Sequence, residues 1–189
     1  MHKKLIIITA PSGAGKTSIT HYLLNKYPLL CFSVSATTRK ARDFEREGVD
    51  YYFINEEMFQ EKIKEDAFIE WEMVYQGKYY GTLKSEIERI WNEGKTPLLD
   101  IDVKGAIHVQ QQYKNNSLSI FIEPPSINEL KKRLESRGTE TADSLTTRLN
   151  KANYELSFKD YFTTSIINEK LQTACEQTEL VIKKFLNWQ

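Results

Sequence analysis

The chain has 189 residues, 40% of them apolar, with 26 Lys plus Arg set against 26 Asp plus Glu. That length and apolar content allow one globular unit with a real core, and the balanced charge excludes a global field that draws the protein to nucleic acid or a membrane surface. No apolar run approaches the ~20 residues that span a bilayer, and two cysteines, Cys31 and Cys175, make neither a disulfide framework nor a metal-ligand spacing.

Met1-His2-Lys3-Lys4 leads at once into an apolar stretch without a signal-peptide cleavage pattern. The expectation is a cytoplasmic protein with both thiols reduced. Leu5 to Ile8 reads as a strand buried on both faces, Ala10 to Gly15 as a loop of small residues, and Lys16-Thr17-Ser18 as the opening of a helix. Strand, loop and helix in this order form a P-loop. Its backbone N–H groups and the helix N-terminus can cradle phosphate, Lys16 can reach the outer phosphates, and the Thr17 hydroxyl can ligate Mg²⁺. Ala10 stands where the pattern has glycine, so Gly13 and Gly15 supply the flexible positions.

Ile19, Leu23 and Leu24 mark a helix running to about Lys26, and Cys31 to Ser35 reads as the second strand. From Thr38 to Thr82 the pattern changes. Charged Arg39 to Gly48 is followed by an aromatic strand at Asp50 to Ile54, a short helix around Phe59, a strand at Phe68 to Tyr75, a turn at Gly77 and Tyr79 to Thr82. Short strands joined by tight turns do not suit a βαβ rhythm, so an inserted antiparallel lobe is expected.

The rhythm then returns, with a helix through Ile87 and Trp91, a strand at Thr96 to Asp102, a helix at Gly105 to Tyr113 and a strand at Ser117 to Glu123. Ser126 and Glu129 have capping-box spacing before a helix with Leu130 and Leu134. A polar stretch leads to a helix through Leu145, Leu149 and Leu156, then a last strand at Phe162 to Asn168 and a helix from about Leu171. The predicted fold is α/β. It has a P-loop three-layer α/β/α core with about five parallel strands, a small mixed or antiparallel lobe at 36–83 and a helical lid at 126–157. Core segments are 1–35, 84–125 and 158–189, all in one domain.

Candidate site residues fall at strand ends or on the two insertions, where open α/β sheets bind ligands. Arg39 and Arg42 follow a strand end, Arg133 and Arg137 share a helix face at i and i+4, and Arg148 is on the next helix. Guanidinium groups bind phosphate bidentately, although helix-face arginines also serve as ordinary solvated charge. Tyr51 and Tyr80 can donate to a phosphate, among ten tyrosines that mostly pack. Alternation puts Glu70 on the strand face opposite Ile69 and Trp71. That face is either solvent or a pocket where a carboxylate accepts two N–H bonds from a guanine edge. Asp100 and Asp102 are read on one strand face, Asp100 near Mg²⁺, with the alternative that one of them caps the next segment.

The chain closely resembles guanylate kinases along nearly its whole length. The resemblance is carried by Ala10 to Thr17, Phe32 to Arg39, Asp50 to Phe53, Phe68 to Trp71, Tyr79 to Thr82, Leu99 to Asp102, Pro124 to Ser126, Leu130 to Thr141 and Ile167-Asn168. It implies Mg²⁺-dependent transfer of the ATP γ-phosphoryl group to GMP, with dGMP as a second acceptor. The implied catalytic set is Lys16, Arg39, Arg133, Arg137 and Arg148. The GMP set is Ser35, Arg39, Arg42, Tyr51, Glu70, Tyr80, Thr82 and Asp102. ATP falls to Ser12, Gly13, Ala14, Gly15, Lys16, Thr17, Ser18, Arg137 and Asn168, and Mg²⁺ to Thr17 and Asp100. Ala41 replaces the usual Pro between the two arginines and Phe44 a small residue, which loosens the case for Arg42. The expected partners are GMP and ATP, not nucleic acid or membrane, and the expected assembly is a monomer or homodimer. Rival readings are a protein-binding scaffold on the same fold, a kinase for another acceptor and a nucleotide-binding regulator.

Overall fold

The computed structural model describes residues 3–136 and 142–188. Five strands form an all-parallel sheet: β1 (Leu5–Thr9), β2 (Leu30–Phe32), β7 (Thr96–Asp100), β8 (Ser117–Glu123) and β9 (Thr164–Ile167), in the order β2-β7-β1-β8-β9. Central β1 is buried along its whole length, and strand alternation divides its side chains between two cores. Ile6 and Ile8 pack with Ile19 of helix α1 (Lys16–Lys26) and Ile182 of α7 (Leu171–Leu186). Leu5 and Ile7 pack on the other face with Ile87 of α3 (Lys84–Asn92) and Val109 of α4 (Val103–Tyr113). A β-branched strand with no polar side is stable only between two helical layers, and this one has them.

The insertion is a second sheet of β3 (Ala36–Thr37), β4 (Tyr52–Phe53), β5 (Phe68–Tyr75) and β6 (Lys78–Leu83), ordered β4-β3-β6-β5. Its β3–β4 pair is parallel and the others antiparallel, so it is mixed. Phe59 of α2 (Glu56–Lys64) stacks on Phe68 at 4.4 Å between ring centroids, inside a core that also takes Ala36, Tyr79 and Leu83. Helices α5 (Ile127–Glu135) and α6 (Ala142–Leu156) share a further small core of Leu130, Leu134, Ala152, Leu145 and Leu149. Among the described residues no helix is long and apolar enough to cross a membrane.

Several strand boundaries differ from expectation, and the last strand, expected at Phe162 to Asn168, spans only Thr164–Ile167. The strand read at Cys31 to Ser35 ends at Phe32. Ser33 N–H still bonds Leu98 O, but Val34 N–H goes to the Glu86 side chain, and Ala36 joins the other sheet. The aromatic run at Asp50 to Ile54 contributes only Tyr52 and Phe53, its flank being occupied by a turn. The run to Asp102 stops at Asp100, because Asp102 becomes the N-cap of α4 and its Oδ1 accepts from Gly105 N–H at 2.9 Å. Asp100 and Asp102 therefore do not share a strand face, and the capping alternative is the one realised.

Candidate active site

The P-loop lies between β1 and α1. Gly13 (φ 93°) and Gly15 (φ 101°) take left-handed backbone conformations, and Gly15 is the N-cap of a helix whose first turn has no side-chain cap and no acid. Those N–H groups are therefore open to an anion. Asn168, which follows β9 and is buried, donates its side-chain N–H to Ala14 O at 2.7 Å, and a Cβ on Gly15 would approach that nitrogen to 2.1 Å. Asn168 thus supports the cradle from beneath. Ala10 is 7% exposed and belongs to the central core, so the glycine of the general pattern is replaced where the chain is still packed like a strand.

A cleft of ≈ 870 Å³ opens above this loop, bordered by Ser12, Gly13, Gly15, Lys16, Thr17 and Ser18 on one side and by Arg42, Tyr51, Arg148, Lys151 and Glu155 on the other. A second pocket of ≈ 230 Å³ is bordered by Ser35, Glu70, Glu72, Tyr80 and Gly81 of the small-sheet region. Lys16, Tyr51, Asp100, Asp102 and Lys151 border both, so the two cavities meet at the end of β7. Lys16 Nζ makes an ion pair with Asp100 there and donates to Ile101 O at 3.2 Å.

Glu70 points into the second pocket. It is 7% exposed and accepts from the Thr82 hydroxyl at 2.6 Å, so Thr82 orients the carboxylate. Burial pushes the Glu70 carboxyl up to about 7, against the opposing effect of that hydrogen bond. Gly105 makes room for it, because a Cβ there would stand 2.6 Å from Glu70 Oε2.

Arg39 borders neither of these two cavities; it is held beside Tyr51 and Tyr80, which do. Nε donates to Tyr80 OH at 3.1 Å, Nη1 to Lys40 O and Glu45 Oε2, and Nη2 to Glu45 Oε1 at 2.7 Å. Four of its five N–H donors are thus engaged. The guanidinium also lies 4.8 Å from the Tyr51 ring centroid. The Arg39 hydrogen bond drops the Glu45 carboxyl to about 2. Arg42 reaches the large cleft beside Phe44, and its own N–H donates to Glu45 Oε2 at 2.9 Å.

On the helical pair, Arg133 donates to Asn168 O at 2.9 Å and lies 3.7 Å from Glu129, which turns it toward the base of the P-loop. Arg148 Nη1 reaches Ser12 Oγ at 3.5 Å. Arg137 lies outside the described residues. Among the described residues no three His, Cys, Asp or Glu side chains cluster as a metal cage. The cleft wall carries the carboxylates of Asp100, Asp102 and Glu155 and the hydroxyls of Ser12, Thr17, Ser18, Tyr51 and Ser144.

Glu45, Lys151 and Glu155 received no role from sequence. Glu45 sits three residues after Arg42 in a segment without periodicity, which left no signal for its side-chain pairing. Lys151 and Glu155 are at i and i+4 with Arg148 three residues earlier, so their shared face was readable; that this face borders the cleft was not.

A family model described as guanylate kinase matches residues 2–185. The guanylate kinase of Bacteroides thetaiotaomicron is 44% identical over 99% of this chain and 92% of its own length, and that of Chlorobium chlorochromatii is 47% identical over 97% and 96%. The crystal structure of guanylate kinase from Anaplasma phagocytophilum superposes with a TM-score of 0.76 at 29% identity, covering 96% of this chain and 85% of the other. With a P-loop cleft and a carboxylate pocket meeting at Lys16 and Asp100, the chain belongs to the guanylate kinase family.

Proposed function

We propose that the protein transfers the γ-phosphoryl group of ATP to GMP, and to dGMP as a second acceptor, releasing ADP and GDP in purine nucleotide metabolism in the cytoplasm. The observation that carries this reading is the junction of the two cavities at Lys16 and Asp100, with the P-loop in one and Glu70 in the other. Two nucleotides laid head to head in these cavities meet where Lys16 stands.

In this reading Ser12 to Ser18 hold the ATP phosphates, with the uncapped first turn of α1 supplying N–H donors. Asn168 keeps the Ala14 carbonyl turned down, away from the phosphates. Glu70, in its ionised form, accepts the guanine N1 and N2 protons, with Ser35, Thr82 and Asp102 around it. Arg39, Arg42, Tyr51 and Tyr80 take the GMP phosphate. A phosphate that receives two bonds from Arg39 competes with Glu45 for the same N–H donors. Lys16 leaves Asp100 for the transferring group, and Arg133, Arg137 and Arg148 balance its charge from the lid at 126–157. The small-sheet segment 36–83 moves as the acceptor lobe.

Thr17 and Asp100 would hold Mg²⁺. The donor set fits, since this ion keeps several waters and takes one or two protein oxygens together with substrate phosphates. Bound there, it supplies charge neutralisation on the donor phosphates. The remaining work is alignment and exclusion of water, which lobe closure achieves.

A panel of GMP, dGMP, AMP, UMP and CMP assayed for ADP release with Mg-ATP tests the reading. GMP is expected to exceed AMP by about 10⁴-fold in kcat/KM, because a site built to hydrogen-bond one edge rejects the base that lacks it. Equal turnover of AMP, or none of GMP, overturns it.

A further inference from the structure

Arg148, Lys151 and Glu155 occupy one face of α6, and Lys151 is the member of that face with a place in every hollow around the junction. It borders the P-loop cleft, the Glu70 pocket and a third hollow of ≈ 180 Å³ between β5 and α6 that Glu72, Val74 and Tyr154 help to line. Its ammonium lies 3.6 Å from Glu155 Oε1, beyond a direct hydrogen bond, and its side chain is 49% exposed where that of Glu155 is 9% exposed. The lysine is therefore loosely parked on a fixed carboxylate.

The wall of the Glu70 pocket carries four acids, Glu70, Glu72, Asp100 and Asp102, against two ammonium groups, Lys16 and Lys151. Lys16 is already committed to Asp100 and Ile101 O. An acceptor monophosphate adds further negative charge to a wall with a surplus of it, and Lys151 is the cation there with freedom to turn toward the newcomer.

We propose that Lys151 is a further substrate-binding residue, which leaves Glu155 when the acceptor enters and donates to the acceptor phosphate at the junction of the two pockets. The proposal rests on the placement of GMP in the Glu70 pocket. It gives the lid helix a contact with the acceptor nucleotide, so that closure reports on both substrates.

Steady-state kinetics of Lys151→Met, Lys151→Arg, Glu155→Gln and Glu70→Gln test it together with thermal midpoints and calorimetric Kd values for Mg-ATP. Lys151→Met keeps the aliphatic stem and is expected to lower kcat/KM for GMP by about 10- to 100-fold, the value of a hydrogen bond to a charged group. The Kd for Mg-ATP and the thermal midpoint stay where they were, and Lys151→Arg restores most of the loss. Wild-type kinetics in Lys151→Met overturn the proposal. So does a Glu155→Gln variant that matches the loss of Lys151→Met while lowering the thermal midpoint, because the pair then only stabilises the helix. If Glu70→Gln also retains its GMP dependence, the acceptor placement itself falls; if it loses that dependence while Lys151→Met does not, only the role of Lys151 falls.

Discussion

At the scale of single residues, acidity decides more than proximity. Burial raises the Glu70 carboxyl to about 7, so the acid form gains ground near neutral pH. Only the carboxylate accepts both guanine protons, so acceptor recognition is present above that value and is lost as pH falls through it. The kcat/KM for GMP is expected to fall about tenfold per pH unit on the acid side, since that ratio reports the free enzyme's essential groups. Glu70→Gln is expected to lower kcat/KM for GMP by about 10²-fold or more and to remove this limb, whereas any slope from the GMP phosphate itself persists in both. A pH profile of the two enzymes separates the contributions. Lys16→Ala is expected to lower kcat by about 10²–10³-fold, on the scale of one lost transition-state donor. A rapid-quench or coupled assay reads it, and near-wild-type turnover contradicts the role given to Lys16.

At the scale of elements, local rules account for the cradle and for the helix beneath it. The Ser126 hydroxyl accepts from Glu129 N–H at 3.1 Å and starts α5, whose Leu130 and Leu134 stand 3.0 Å from where a Cβ on Gly13 would be. Ser126→Ala is expected to cost about 1 kcal/mol in denaturant unfolding, with a smaller effect on kcat. Gly15→Ala meets two obstacles at once: a φ of 101° and a Cβ 2.1 Å from Asn168 Nδ2. It is expected to weaken ATP binding more than GMP binding, measured by calorimetry, because the displaced Asn168 no longer holds the Ala14 carbonyl.

At the scale of the whole molecule, one buried acid ties the insertion to the parallel sheet. Glu86 of α3 is 3% exposed and accepts from Val34 N–H at the exit of β2, from Tyr52 OH of β4 and from Arg89 on its own helix. The Tyr52 bond joins the insertion to the core, and the Val34 bond fixes the chain just before it enters the insertion. Glu86→Ala strands the buried Val34 N–H, while Arg89 keeps Glu93, and is expected to cost about 1–3 kcal/mol. It should also raise KM for GMP more than KM for ATP, because the lobe that positions the acceptor loses its anchor. Chemical denaturation and initial-rate kinetics on the same variant check both parts.

How much was readable follows from the range of the interactions involved. Leu5 to Thr9, Gly13, Gly15, Lys16 and the capping Ser126 act through near neighbours, so period, turn chemistry and cap spacing located the strand, the cradle and the helix starts from the amino-acid order alone. Phe68 to Tyr75 was legible for the same reason, and exposed Trp71 contrasts with buried Glu70 as alternation expects. A register shift between Phe68 and Glu70 nonetheless breaks the pattern at Ile69, which packs with Ala106 and Val109 of α4, the helix that Glu70 also approaches at Gly105. Tertiary packing decided that β2 stops at Phe32, since that end depends on a partner 52 residues away, whereas the Asp102 cap on α4 is a local bond that the sequence offered as one of two readings. Glu45 clasping Arg39, Glu86 bridging the lobes and Lys151 reaching the junction of two pockets were likewise decided in three dimensions. The physical reason is that a charged side chain's partner is chosen by whatever the folded chain brings within a few ångströms, and hydrophobic periodicity records only which side of an element is buried.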